Sequence, residues 1–283
     1  MLTPRYFTLG LFSALVFASF PVRAADSAPT PIPYRGMSLD DTAKLNNALN
    51  KLIVAEDASI KAILDANPSF SIVKGNSAII PTPYVPARHD GFVAIAKKGD
   101  IDVLFDGDSI TDFWATNGKD VFPKYFGGLK LANFAISGDT TQGVLYRLQN
   151  GEGQGFQPKA IMLMIGTNNV SRGNTAVEVT DGIIADLNEL RKDFPDAKIL
   201  LLAVFPRGLP SDPYRKTIAD INAMIAKLDD QQHIFYMDIG SKFLGQDGVF
   251  LPDTFLPDNL HPKAAGYEIW ANAVKDKLAE LMK

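Results

Sequence analysis

Five short apolar runs, each set apart from the next by a longer or more polar segment, constrain this chain more than any other feature. They are IDVLF (101–105), LANFAI (131–136), AIMLMIG (160–166), KILLLAVF (198–205) and HIFYMDI (233–239). Apolar residues fill successive rather than alternate positions, so both faces of each run must be covered, as in a parallel sheet with helices on either side. Helical spacing of apolar residues over 175–192, 213–228 and 262–282 supplies such covers. The fold class that follows is α/β, a three-layer α/β/α sandwich on a five-stranded parallel sheet. Ligands of such sheets bind outside the carboxyl ends of the strands. The loops after Phe105, Ile136, Gly166, Phe205 and Ile239 are therefore where chemistry is to be sought.

Those loops are polar in a particular way. The first holds Gly107-Asp108-Ser109-Ile110-Thr111, where a hydroxyl stands on a tight turn next to the N–H groups of a helix start. Gly-Asp-Ser is equally ordinary turn and capping chemistry. The second, Ser137-Gly138-Asp139-Thr140-Thr141, has a glycine whose N–H is unobstructed and suits an oxyanion, or which simply eases the turn. Thr140 or Asp139 can cap the helix that follows. In Gly166-Thr167-Asn168-Asn169 an asparagine amide can add a donor, or close an Asx turn. Near the C-terminus, LPDNLHPKAAGYEIW places Asp258 three residues before His261, with Pro262 suited to the first position of a helix. A tight turn can bring such a pair into hydrogen-bonding reach, fixing one ring nitrogen while the other faces a nucleophile. The other two histidines of the chain are His89, ahead of the core strands, and His233, at the wrong end of one.

The remainder bounds the function classes. At 283 residues and 46% hydrophobic content the chain can bury a large core. A formal net charge of -4 gives no electrostatic reason to expect nucleic acid. The absence of cysteine removes disulfides, thiolate metal sites and a cysteine nucleophile. Residues 1–24 carry Arg5, an apolar stretch from Phe7 to Phe20 and small residues around Ala24, the order of a cleavable signal peptide. The stretch is short of the roughly 20 residues a membrane anchor needs. The expectation is export, periplasmic or secreted, with no stable membrane span. Residues 25–88 read as a Pro-rich linker and an N-terminal helical extension, with apolar spacing from Leu45 to Leu64 and Ser38 and Asp41 as a candidate capping box. The stretch 67–90 mixes prolines and glycine with β-branched residues and is expected to be extended or irregular. Its neighbours could cap the site, pack on the outer face of the sheet or mediate assembly, packing being the default. The domain proper is placed at 89–283.

Four loops thus offer a nucleophile, two oxyanion donors and a paired base at one sheet edge. In this set the sequence resembles the GDSL or SGNH hydrolases, a flavodoxin-like fold. GDSI carries Ser109, NFAISGDTT carries Gly138, GTNN carries Asn168, and the Asp-x-x-His block is Asp258 and His261. The stretches LANFAISGDTTQGVLYRLQNGE, MLMIGTNN and LLLAVFPRG are similar to the branch containing the platelet-activating-factor acetylhydrolase catalytic subunits and related bacterial esterases. The resemblance implies Ser109, His261 and Asp258 as a catalytic triad, with an oxyanion hole from the N–H groups of Ser109 and Gly138 and the Asn168 side chain. It implies no metal and no organic cofactor. A short-chain esterase acting on a small-molecule or carbohydrate ester is expected, acetyl above all.

Two other classes compete, along with two variants of the esterase reading. Asp106 and Asp108 imitate the Asp-x-Asp of magnesium-dependent phosphatases, but no later acidic pair accompanies them and His261 is left without a purpose. A glycan-binding protein that has kept the fold without catalysis would not need all four blocks. A lipid-directed acetylhydrolase or an O-acyltransferase would use the same triad. The elbow G-x-S-x-G is absent around Ser109, which argues against the larger α/β-hydrolase fold.

Overall fold

The computed structural model describes residues 29–34, 37–50, 77–82 and 85–283. The expected signal peptide and the apolar positions from Leu52 to Leu64 lie outside these residues. The helices are α1 (Leu39–Asn50), α2 (Pro86–Ala96), α3 (Ser109–Asp112), α4 (Phe122–Phe126), α5 (Thr141–Arg147), α6 (Thr167–Ser171), α7 (Ala176–Asp193), α8 (Pro213–Ile225) and α9 (Ala264–Leu281). The strands are β1 (Val103–Gly107), β2 (Leu131–Asn133), β3 (Ala160–Met164), β4 (Lys198–Leu202) and β5 (Ile234–Met237), one for each apolar run.

All neighbouring strands pair in parallel, in the order β2-β1-β3-β4-β5. The order reverses direction at β1, which makes the crevice beside the carboxyl ends of β1 and β3 the topological switch point. Strand pleating sends alternate side chains to opposite layers. Leu104, Ile161, Leu163, Ile199 and Leu201 pack under Val179, Ile183 and Leu187 of α7 and Ile218 and Ile221 of α8. Val103, Phe105, Met162, Met164, Leu200 and Leu202 face Trp114 and, on α9, Tyr267, Trp270 and Val274. The sheet is buried on both faces, as its unbroken apolar runs require.

The N-terminal pieces form a further layer. Tyr34, Met37, Leu45 and Ile79 bury themselves against Leu145 of α5 and Ile184 and Ala185 of α7. Ile32 exchanges two hydrogen bonds with the Asn188 side chain, at 2.7 and 3.1 Å, and Thr141 Oγ1 donates to the Ala78 carbonyl at 2.8 Å. They therefore pack on helices that cover the sheet, not on the sheet itself. Asp41 N–H donates to Ser38 Oγ at 3.1 Å, one half of the anticipated capping box.

Two local expectations are corrected. The end of the irregular stretch 67–90 is helical, because Pro86 takes the first turn of α2, where its missing N–H costs nothing. Pro262 does not start a helix. It bridges to Phe255, and α9 begins at Ala264 with Lys263 as its N-cap. No helix among the described residues is long and apolar enough to cross a membrane.

Candidate active site

The serine turn begins where β1 runs out. Gly107 has φ 151°, and a Cβ there would sit 2.3 Å from the Met164 carbonyl oxygen on β3, so only glycine lets the two strands end side by side. Asp108 caps α3, its side chain accepting from Ile110 N–H at 3.0 Å. Ser109 is then the first residue of α3, in the turn whose N–H groups have no intrahelical acceptor. Its Oγ lies 2.9 Å from His261 Nε2.

His261 reaches the serine from a loop of tight turns. Asp258 Oδ1 accepts the N–H groups of Leu260 and His261 at 2.9 and 3.0 Å, and Oδ2 lies 2.7 Å from His261 Nδ1. Partial burial pulls the Asp258 pKa up, but these bonds outweigh it and hold the carboxyl below its ordinary value. Asn259 adopts the left-handed conformation between them, at φ 51°, which an asparagine tolerates. Its carbonyl accepts Gly208 N–H at 2.8 Å, and the Phe113 ring lies 4.9 Å from the imidazole, fixing the loop from two sides. With Nδ1–H donated to Asp258, Nε2 is left as an acceptor facing the hydroxyl.

Gly138 follows β2 at φ 82°. Its carbonyl accepts from Arg172 at 2.8 Å, and the next carbonyl, of Asp139, accepts from Asn168 Nδ2 at 2.8 Å. That bond orients the Asn168 amide and uses one of its two hydrogens. Asn169 is buried and spent on Thr141 and Gln142, with Oδ1 accepting Thr141 N–H at 3.1 Å and Nδ2 donating to Thr141 Oγ1 and Gln142 Oε1 at 3.0 and 2.9 Å. Thr140 is the N-cap of α5, without a side-chain capping bond.

Other charged groups at this edge escaped the sequence reading. Arg147 is fully buried and binds Asp106 Oδ1 at 2.9 Å, Asp139 Oδ2 at 3.0 Å, the Phe134 carbonyl at 3.0 Å and Glu152. His89 Nδ1 meets Glu152 Oε1 at 2.9 Å, so this histidine belongs to the cluster. Asp106 is thus closed off behind the sheet by a guanidinium, and Asp108 is a cap, which removes both from the open position an Asp-x-Asp phosphoryl site needs. His233 stands at the amino end of β5, where its N–H donates to Asp230. The strand-end rule would have flagged Asp106 and Asp139 as charges with no solvent to face, but not their common partner.

Comparison with known proteins bears on the family and the fold. The GDSL-like Lipase/Acylhydrolase family model matches residues 105–269. Platelet-activating factor acetylhydrolase IB subunit alpha2 of Homo sapiens is 34% identical over 198 residues, which cover 69% of this chain and 84% of that protein. Among solved structures, a GDSL-like lipase from Bacteroides thetaiotaomicron superposes with TM-score 0.55 at 20% identity, covering 69% of this chain and 98% of the other. A catalytic mutant of an acetylxylan esterase from Geobacillus stearothermophilus gives TM-score 0.50 at 19% identity, over 64% and 94%. At such identities the structural likenesses speak to the fold, and the family rests on the sequence matches. The chain belongs to the GDSL-like lipase/acylhydrolase family and is an ester-hydrolysing enzyme.

Proposed function

We propose that the protein is an exported serine esterase that removes short acyl groups, acetyl above all, from O-acylated carbohydrate. The observation that carries the catalytic part is the unbroken relay from Ser109 Oγ to His261 Nε2 at 2.9 Å and from His261 Nδ1 to Asp258 Oδ2 at 2.7 Å. Ser109 Oγ attacks the ester carbonyl carbon while its proton passes to His261 Nε2, and Asp258 supports the imidazolium. The carbonyl oxygen, now an oxyanion, takes the N–H groups of Ser109 and Gly138 and the second amide hydrogen of Asn168. Collapse breaks the C–O bond, His261 returns its proton to the leaving alkoxide, and the acyl-enzyme remains. Water then attacks with His261 as base, releasing the acid and restoring Ser109.

The acetyl preference is supported by the names of relatives, an acetylhydrolase and an acetylxylan esterase. Export is supported by the order of residues 1–24. A second reading, a lipid-directed acetylhydrolase, draws on the exposed Leu209, Val249 and Leu251 near the loop that carries Asp258 and His261. The test is hydrolysis of p-nitrophenyl acetate, butyrate and octanoate by the wild type and Ser109→Ala, followed by acetylated xylo-oligosaccharide against a short-chain acetyl glycerophospholipid. Ser109→Ala should lose on the order of 10⁴ to 10⁶ in kcat, and activity should fall with acyl length. Turnover that survives Ser109→Ala sinks the mechanism. A preference for the phospholipid selects the second reading.

A further inference from the structure

The four family blocks leave one question open, namely what holds the two backbone donors of the oxyanion hole at a fixed separation. The Ser109 N–H belongs to the start of α3, and the Gly138 N–H to a loop whose only covalent route back to α3 runs through β2. Ile136 N–H donates to the Gly107 carbonyl at 3.2 Å and the Asn133 side chain bridges the Thr111 carbonyl and Ala135 N–H, but the contact nearest Gly138 comes from α3 itself. Asp112, the last residue of α3, accepts Ser137 N–H at 3.1 Å and Ser137 Oγ–H at 2.6 Å, both on Oδ2. Ser137 is the residue before Gly138, so the Asp112 carboxylate holds that residue by its N–H and its hydroxyl, one peptide ahead of the Gly138 N–H.

Asp112 is itself held from outside the catalytic domain's core. Arg88, on the first turn of α2, donates Nη1 to Asp112 Oδ2 at 3.1 Å and Nη2 to Asp112 Oδ1 at 2.9 Å, a bidentate fork. The same Nη2 donates to the Ala135 carbonyl at 3.1 Å, within the stretch that leads from β2 to Gly138. The guanidinium lies 5.1 Å from the Phe92 ring centre, one helical turn on, which limits its rotamers. The Asp112 side chain is 13% exposed, so its charge is poorly screened by water. An unpaired carboxylate there would oppose an oxyanion forming beside the same loop.

We infer that Arg88 is a positioning residue for the oxyanion hole, clamping α3 to Ser137, the residue before Gly138, through Asp112 and neutralising that carboxylate. The inference rests on the oxyanion roles of Ser109 and Gly138 set out above, and gives the helix before the family-defining residues 105–269 a part in the chemistry. A group acting on the hole favours the transition state over the bound ester. Its loss should therefore lower kcat and leave KM nearly unchanged.

The experiment measures kcat and KM on p-nitrophenyl acetate, with thermal unfolding, for the full chain and for Arg88→Ala, Arg88→Lys, Asp112→Asn, Arg88→Ala with Asp112→Asn, and Ser109→Ala. Arg88→Ala should lower kcat by about 10- to 100-fold with KM within about twofold, the loss expected of donors displaced rather than removed. Arg88→Lys should recover part of it. The double variant should be no slower than Arg88→Ala alone, because the unpaired carboxylate is gone. Folded Arg88→Ala with kcat within about twofold of wild type overturns the inference. So does a loss that lysine fails to recover and that adds to the loss from Asp112→Asn. Should Arg88→Ala not fold, Arg88→Gln, which keeps the stem over Phe92, is read by the same criteria. An inactive Ser109→Ala beside an unaffected Arg88→Ala sinks this inference alone, whereas an active Ser109→Ala sinks the mechanism on which it rests.

Discussion

The Asp258–His261 pair and the Arg147 cluster both bring titratable side chains close to the serine turn, yet water treats them differently. The Asp258 side chain is 45% exposed and that of His261 19%, whereas Arg147, Asp106, Asp139 and Glu152 are at 0%. At the exposed pair, slight burial is outweighed by hydrogen bonds, and Asp258 is held below its ordinary pKa. In the cluster, burial dominates and pushes Asp139 up to about 6 and Glu152 up to about 8, against the pull of Arg147. Asp106 is raised too, by the same burial. The difference separates two jobs. The pair can pass a proton at small cost because solvent accommodates either charge state. The cluster fixes backbone, because Asp106 stands one residue before Gly107 and Asp139 one after Gly138.

If that division is right, damage to the pair appears in turnover and damage to the cluster in folding. Asp258→Asn should lower kcat by about 10³ to 10⁴, since the amide no longer holds the required tautomer of His261. Unfolding in urea should cost it less than about 1 kcal/mol, the range of an exposed ion pair. A variant that lost stability instead of turnover would break the comparison at this end.

Arg147→Ala tests the other end. It leaves Asp106, Asp139 and Glu152 buried without their cation, and the loss of stability should be about 3–5 kcal/mol. Arg147→Met, which keeps the stem volume, should recover little of it, because the carboxyls rather than the cavity are at fault. Urea unfolding at neutral pH measures both. A loss below about 1 kcal/mol for Arg147→Ala would mean that the carboxyls are already protonated and need no cation.

The same division decides what the sequence could show. Periodicity reports burial, so every strand was legible from its apolar run, and α7 from Thr175 onward, where a capping box with Glu178 confirms the start. The proposed nucleophile and oxyanion glycine could be picked out because Ser109 and Gly138 each follow a strand in a short polar loop, and the proposed pair because Asp258 lies three residues before His261. Long-range pairing has no such signature. Arg88 and Asp112 are 24 positions apart and Arg147 and Asp106 are 41, so nothing local couples them. Asp106 was hidden further by its position, since IDVLF ends at Phe105 while β1 continues through Asp106 to Gly107. The start of α2 was misread because prolines dominate 81–86, although one of them is the residue that opens the helix.

The smallest effect concerns Asp108, the carboxyl that lies between the two regions. It is fully buried at the N-cap of α3, and among the described residues its Oδ2 has no hydrogen-bond partner. Burial pushes its pKa up from 3.8 to about 7, with Ile110 N–H and Arg207 pulling down and Asp139 pushing up. A raised native pKa means that between about pH 4 and pH 7 the native state binds more protons than the unfolded chain, so stability falls as pH rises through that window and levels above it. Asp258, with its depressed pKa, contributes in the opposite sense, and its stabilisation is lost on acidification. Asp108→Asn keeps an Oδ1 acceptor for Ile110 N–H and removes the proton equilibrium. At pH 8.5 it should be more stable than the wild type by on the order of 1–3 kcal/mol, and at pH 4 nearly equal to it. The quantity to follow is the difference between the two proteins in urea unfolding at each pH, because groups that do not feel the Asp108 charge titrate alike in both and cancel. A difference that stays flat from pH 4 to pH 8.5 would place an ionised carboxylate behind the nucleophile, and would move Asp108 from the buried side of the comparison to the exposed one.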